Sequence, residues 1–165
     1  MKKYYLVIIL IILVIGTLIG LFILNSNQSN VQSDQSKLQA LTDSSKVSVK
    51  INNSTLNLEV ARSEQKREEG LMNIKKMQDN SGMIFIFEDE QIRTFWMKNT
   101  YISLDIIFLD KDLKIVKIFE NTKPLQTSEI YSSDYPSQFV IEANSGWVEK
   151  HNLKVSDKLE ILRVQ

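Results

Sequence analysis

Leu6 to Leu24 form nineteen consecutive positions without a charge, a run of Leu, Ile, Val and Phe broken only by Gly16, Thr17 and Gly20. As a helix it would extend about 28 Å, close to the thickness of a bilayer's hydrocarbon layer. Asn25 to Ser36 then switches to Asn, Ser and Gln, with little to bury and no period, which predicts a flexible tether through residue 45. From Lys46 onward the dominant period is two. Val47, Val49 and Ile51, then Leu56, Leu58 and Val60, alternate with polar residues around Asn52-Asn53-Ser54 and predict a β-hairpin. Further strands are expected over 82–87, 92–97, 104–109, 115–119, 138–143 and 158–164. The unbroken run Ile106-Ile107-Phe108-Leu109 predicts a strand covered on both faces.

Two short helices interrupt this pattern. Ser63 can cap a helix over 64–69, with Glu64 in its first turn and Gly70 as its left-handed stop. A second is expected over 147–151, ended by Asn152, with His151 favouring its negative end. Asp110-Lys111-Asp112 reads as a hairpin turn. Asn121 to Ser137 holds both prolines and has no clear period, which suits a long loop that is either functional or mobile. The predicted fold is mainly β (α+β): an antiparallel β-barrel or sandwich of about eight strands with two short helices, preceded by one transmembrane helix.

Lys2 and Lys3 precede the apolar run, and the next basic residue is Lys37. The positive-inside bias therefore predicts a cytoplasmic segment 1–5, a membrane span 6–24, a linker 25–45 and an extracytoplasmic domain 46–165. The partner so implied is the lipid bilayer, through residues 6–24, in a single-pass cell-membrane protein. A cleaved signal peptide is the competing reading. Its apolar core is usually shorter, and Phe22 to Asn27 lacks an Ala-x-Ala site.

The chain carries twenty basic and twenty acidic residues; without Lys2 and Lys3 the remainder has eighteen against twenty. No basic surplus points to nucleic acid. The absence of cysteine excludes disulfides and thiolate chemistry. His151 is the sole histidine, and no Gly-x-Ser-x-Gly, His-Glu-x-x-His or phosphate-cradling loop is present. Met72, Met77, Met83 and Met97 are scattered along strands, where methionine fills core gaps, rather than clustered as a copper site would require. No metal and no cofactor are expected.

Gly70-Leu71-Met72, Gly82-Met83-Ile84-Phe85, Phe95-Trp96-Met97-Lys98-Asn99-Thr100, Leu104-Asp105-Ile106-Ile107-Phe108 and Val140-Ile141-Glu142 occur in an order that resembles one family. It is the uncharacterised family called domain of unknown function 192. The resemblance runs from about Leu56 to Ile161 and implies a compact β-rich domain with no established activity. Where that family often has Gly-Asp near the C-terminal turn, this chain has Ser156-Asp157.

The candidate ligand-binding residues are Trp96, Lys98, Asn99, Thr100, Asp105, Glu142 and Met72. Lys98-Asn99-Thr100 beside Trp96 would offer hydrogen-bond donors to an anionic or carbohydrate ligand. The plainer alternative is that Lys98 pairs with Asp105 or Glu142 while Asn99 and Thr100 satisfy a turn. Arg62 and Arg67 could add charge to the same mouth. The expected role is a non-catalytic binding module for an envelope glycan, small ligand or membrane protein. The alternative is a hydrolase of envelope polymers using two carboxylates drawn from Asp105, Glu142, Glu88 and Asp134.

Overall fold

The computed structural model describes residues 2–165, with side chains from residue 11 onward except residue 27. The side chains of Lys2 to Leu10, including the first five residues of the apolar run, lie outside the described set. Two compact units emerge, one ending at Ser33 and one spanning Asp34–Gln165. Helix α1 (Lys2–Gln39) carries the apolar run, and from Ile11 to Leu24 every large apolar side chain is at least half exposed. This helix is long and apolar enough to cross a membrane.

The tether expected over 25–45 is corrected in its conformation, because helical backbone continues to Gln39. The physical reason for its last part lies at Leu38 and Leu41, both buried in the domain core. Asp34 adds a polar strap, accepting the Ile161 N–H at 3.1 Å and pairing with Lys37 at 2.7 Å. The second unit thus starts at Asp34 rather than near Lys46.

Nine strands follow: β1 (Lys46–Ile51), β2 (Ser54–Ala61), β3 (Ser81–Gln91), β4 (Thr94–Phe95), β5 (Leu104–Leu109), β6 (Ile115–Phe119), β7 (Tyr131–Ser132), β8 (Ser137–Asn144) and β9 (Leu159–Val164). Helix α2 (Glu64–Glu69) sits where Ser63 and Gly70 place it, whereas α3 (Trp147–Lys150) has no side-chain cap and ends one residue earlier than expected, with His151 rather than Asn152 as its C-cap. Seven strands form one sheet in the order β6-β5-β8-β3-β2-β1-β9, and β4 and β7 form a separate ribbon. The expected strand over 92–97 contracts to two residues in that ribbon.

Two details of the expected architecture change. The sheet is mixed, because β2 and β3 pair in parallel through the crossover that contains α2. It is also not a closed barrel. Its edge strands approach only at one corner, through the bridge Lys114↔Lys158 and the Ile115 N–H to Asp157 carbonyl bond of 2.9 Å. Ser156 takes φ 82° at this corner, so the turn keeps a conformation that favours glycine although serine occupies it.

Both faces of the sheet are covered, which makes the fold sandwich-like. β5 is buried along its whole length, as its apolar run predicts. Period-two alternation sends Ile84, Ile86, Ile107, Leu109, Phe139 and Ile141 to one face, beneath Leu38, Leu41, Trp147 and Val148. Met83, Phe85, Ile106, Phe108 and Val140 point to the other, beneath Met97, Phe95 and Tyr131. On this second face five rings meet edge to face, Phe85–Phe95–Phe108–Phe119–Tyr131, with centroids 4.9 to 6.1 Å apart. Each such pair adds about 0.5–1.5 kcal/mol beyond area burial. They fix the ribbon and its loops over the sheet.

Candidate functional site

The second face opens into a cleft of about 530 Å³ between α2 and the segment from Thr94 to Thr100. Local capping builds one wall. The Ser63 hydroxyl accepts the Lys66 N–H at 3.1 Å, while Asp43 accepts the Arg62 and Ser63 N–H groups at 2.6 and 3.0 Å. Gly70 closes the helix at φ 49°, its N–H bonded to the Lys66 carbonyl at 2.9 Å. A Cβ there would touch the Phe85 ring at 3.4 Å in ordinary contact, so it is the positive φ of the turn that asks for glycine.

The opposite wall is held from behind by backbone bonds. Asn73 N–H donates to the Asn99 carbonyl (2.8 Å), Leu125 N–H to the Thr100 carbonyl (2.9 Å), and Met97 N–H to the Gln126 carbonyl (3.1 Å). Trp96 is 46% exposed at the mouth, and the Lys98 ammonium lies 4.9 Å from its ring centre. Phe87 lies between two guanidinium groups, Arg67 at 4.9 Å and Arg93 at 3.9 Å. Arg67 also donates to the Arg62 and Ile86 carbonyls.

Of the candidate ligand-binding residues, five line this cleft: Met72, Trp96, Lys98, Thr100 and Glu142. Asn99 and Asp105 do not. Asn99 occupies φ 55° and is exposed, which makes it the turn residue that gives the Trp96–Thr100 segment its bend. Asp105 belongs to the other face. Its carboxyl accepts the Val148 N–H and the Asn121 N–H, both at 2.9 Å, and so ties down α3 and the loop after β6. The Cα partner of Asp105 is Ala143, and that of Glu142 is Ile106. The two acids are therefore one rung apart and point to opposite faces. They cannot serve as a catalytic pair, and Lys98 pairs with neither. Asp134 pairs with Lys117 at 2.8 Å, and Glu88 is exposed.

Glu142 is the chemically unusual residue. Its side chain is only 5% exposed, it has no hydrogen-bond partner among the described residues, and it borders the cleft. Burial pushes its carboxyl up from 4.5 to about 8, so it is largely protonated at neutral pH. β8 can bring this residue so close to β3 only because of Gly82, where any Cβ would collide with the Glu142 carbonyl oxygen.

Sequence reasoning missed Phe87, Phe95 and the acidic rim of α2, Glu64, Glu68 and Glu69. The i, i+4 spacing of Glu64 and Glu68 was a usable signal for a shared face. His151 stands at the helix end as expected, but its surroundings disfavour the charged form. Burial, followed by the nearby Lys150 charge, lowers its pKa, and its Nδ1 shares a 2.7 Å hydrogen bond with the Ser54 hydroxyl. His151 ends α3 as its C-cap, and its ring meets that of Trp147 in a tilted contact at 4.8 Å. Among the described residues no group of His, Cys, Asp or Glu side chains is arranged to hold a metal ion.

The family model for domain of unknown function 192, described as an uncharacterised ACR, matches residues 47–161, most of the chain. The chain belongs to that family. Two solved structures are similar to this member of the family. One is a candidate transcription regulator from Sinorhizobium meliloti, 32% identical with a TM-score of 0.67, covering 73% of this chain and 96% of its own. The other is a protein of unknown function from Novosphingobium aromaticivorans, 32% identical with a TM-score of 0.65, covering 70% and 84%. No curated protein matches the chain.

Proposed function

We propose that this family member is a membrane-tethered, extracytoplasmic, non-catalytic binding module, and that the cleft between α2 and Trp96–Thr100 takes an envelope ligand. The observation that carries the reading is Glu142. A buried carboxyl without a partner is a standing cost to the fold, and such a group at the floor of an aromatic-walled cleft is suited to recognition. Trp96 at the mouth adds an exposed ring, and Lys98 adds a donor, while the Thr100 hydroxyl donates to the Lys98 carbonyl and fixes that wall. The apolar helix supports the tether, and Lys2 and Lys3 before it support an N-terminus on the cytoplasmic side. The regulator role ascribed to the Sinorhizobium meliloti protein is not carried over, since the charges of this chain balance.

The test uses the full chain in lipid nanodiscs, titrated with soluble fragments of isolated cell envelope and followed by isothermal calorimetry. Saturable binding that is weakened at least tenfold by a Trp96→Ala, Lys98→Ala double variant is the expected result. Identical titration of the two proteins would remove the cleft from the function. Protease added to whole cells should degrade the carboxyl half; full protection would overturn the orientation.

A further inference from the structure

Resting on that reading of the cleft, we infer that its occupant is a protonated amine, a ligand group whose ammonium seats against the Glu142 carboxyl while its apolar part lies along Trp96. The unpartnered Glu142 carboxyl and the exposed Trp96 ring beside it motivate this choice. The charged groups facing Glu142 are Glu64, Arg67, Glu68 and Glu69 from α2 and Lys98 from the opposite wall. Arg67 is committed to two backbone carbonyls, and Glu69 is paired with Lys66 at 3.2 Å. Glu64 and Glu68 pair with no base among the described residues. Arg67 keeps its charge in those bonds, so the two rim carboxylates are matched by Arg67 and Lys98, and Glu142 is the acid at the cleft with no base of its own among the described residues. An ammonium would give the Glu142 carboxylate its missing partner, whereas an anion would meet a second buried acid. The aromatic wall suits the same guest, since Trp96 already holds one ammonium against its face.

The seating step balances as follows. Glu142–COOH and R–NH3+ become a Glu142–COO−/R–NH3+ pair, and one proton leaves for solvent. No bond between heavy atoms forms or breaks. Because burial holds the free carboxyl near 8, each captured ammonium displaces about one proton at neutral pH, and binding tightens as pH rises toward 8. A neutral hydrogen-bond acceptor would instead need the protonated acid and would bind more weakly as pH rises. His151 lies on the opposite face and does not border the cleft.

The two tryptophans allow a direct test. The full chain is labelled with 5-fluorotryptophan and held in phosphatidylcholine nanodiscs. Fluorine NMR then follows Trp96 at the mouth, with Trp147 in the opposite core as internal control. The probes are 2-phenylethylammonium and its neutral isostere 2-phenylethanol. The ammonium should shift the Trp96 resonance alone, with affinity at least tenfold higher at pH 8 than at pH 6, and Glu142→Gln should abolish that pH dependence. Equal or tighter binding of the alcohol, or affinity falling with pH, would overturn the ammonium assignment and leave the binding module standing. Silence from both probes would also overturn it, and the envelope-fragment titration would then decide the broader reading by itself. The wild-type pH profile and the alcohol comparison decide the matter even if the Glu142 variant folds poorly.

Discussion

Asp105 and Glu142 sit one rung apart on the same pair of strands, both almost wholly buried, and their surroundings treat them in opposite ways. Asp105 points into the face beneath α3, where two backbone N–H groups saturate its carboxyl and make it a tie between elements. Glu142 points into the cleft face, where no described residue answers it. Two acids of like burial thus divide into a structural one and an available one. Burial alone does not distinguish them; the count of donors does.

Replacement of Asp105 by Ala should produce the largest effect, about 3–4 kcal/mol of lost stability, because it orphans two backbone donors at once. Urea unfolding of the full chain in nanodiscs would read this, and a loss under 1 kcal/mol would break the contrast. Glu142→Gln should act in the other direction, adding about 2 kcal/mol at pH 8. The folded-state pKa is raised above the ordinary 4.5, so the fold is favoured below that pH and loses stability as pH climbs through about 8. The gain should therefore vanish at pH 4. An equal gain at both pH values would assign the effect to packing.

Ser54→Ala sharpens the account of the Asp105 face by removing the hydroxyl partner of His151, at a cost of about 1 kcal/mol. His151 has a lowered pKa, so its contribution is present above the ordinary 6.5 and fades as pH falls through the folded value. Thermal unfolding between pH 5 and pH 8 should show a slope in the wild type that differs from the variant's. Trp96→Ala completes the series with the smallest structural effect, about 0.5 kcal/mol, since it is half exposed and its ring contact is with Lys98. A large loss of stability there would mean that the mouth is part of the core.

The alternating and unbroken apolar runs made most of the sheet legible, because one face of β2 and both faces of β5 have to be buried wherever their partners lie. Capping residues marked α2 at Ser63 and Gly70 with equal clarity. The parallel pairing of β2 with β3 was not legible, since strand order depends on which crossover packs best and leaves no local trace. The cleft was half legible. Trp96, Lys98 and Thr100 stood together in the sequence, whereas α2 joins them only through the crossover. Asp105 and Glu142 looked alike as isolated acids, and only the register across β5 and β8 separates them. The helical continuation to Gln39 was hidden by a Ser/Asn-rich stretch whose two later leucines gave the only hint.

Those leucines bear on where the molecule can be cut. Leu38 and Leu41 fill the same core as Val47 and Ile107, and Gln39 clips to the Phe87 carbonyl at 3.2 Å and the Arg62 guanidinium at 2.9 Å. A soluble fragment begun at Lys46 would leave a hole where a plug belongs. A shedding protease that spared everything from Asp34 onward would release an intact body, and one that nicked a few residues later would release a damaged one.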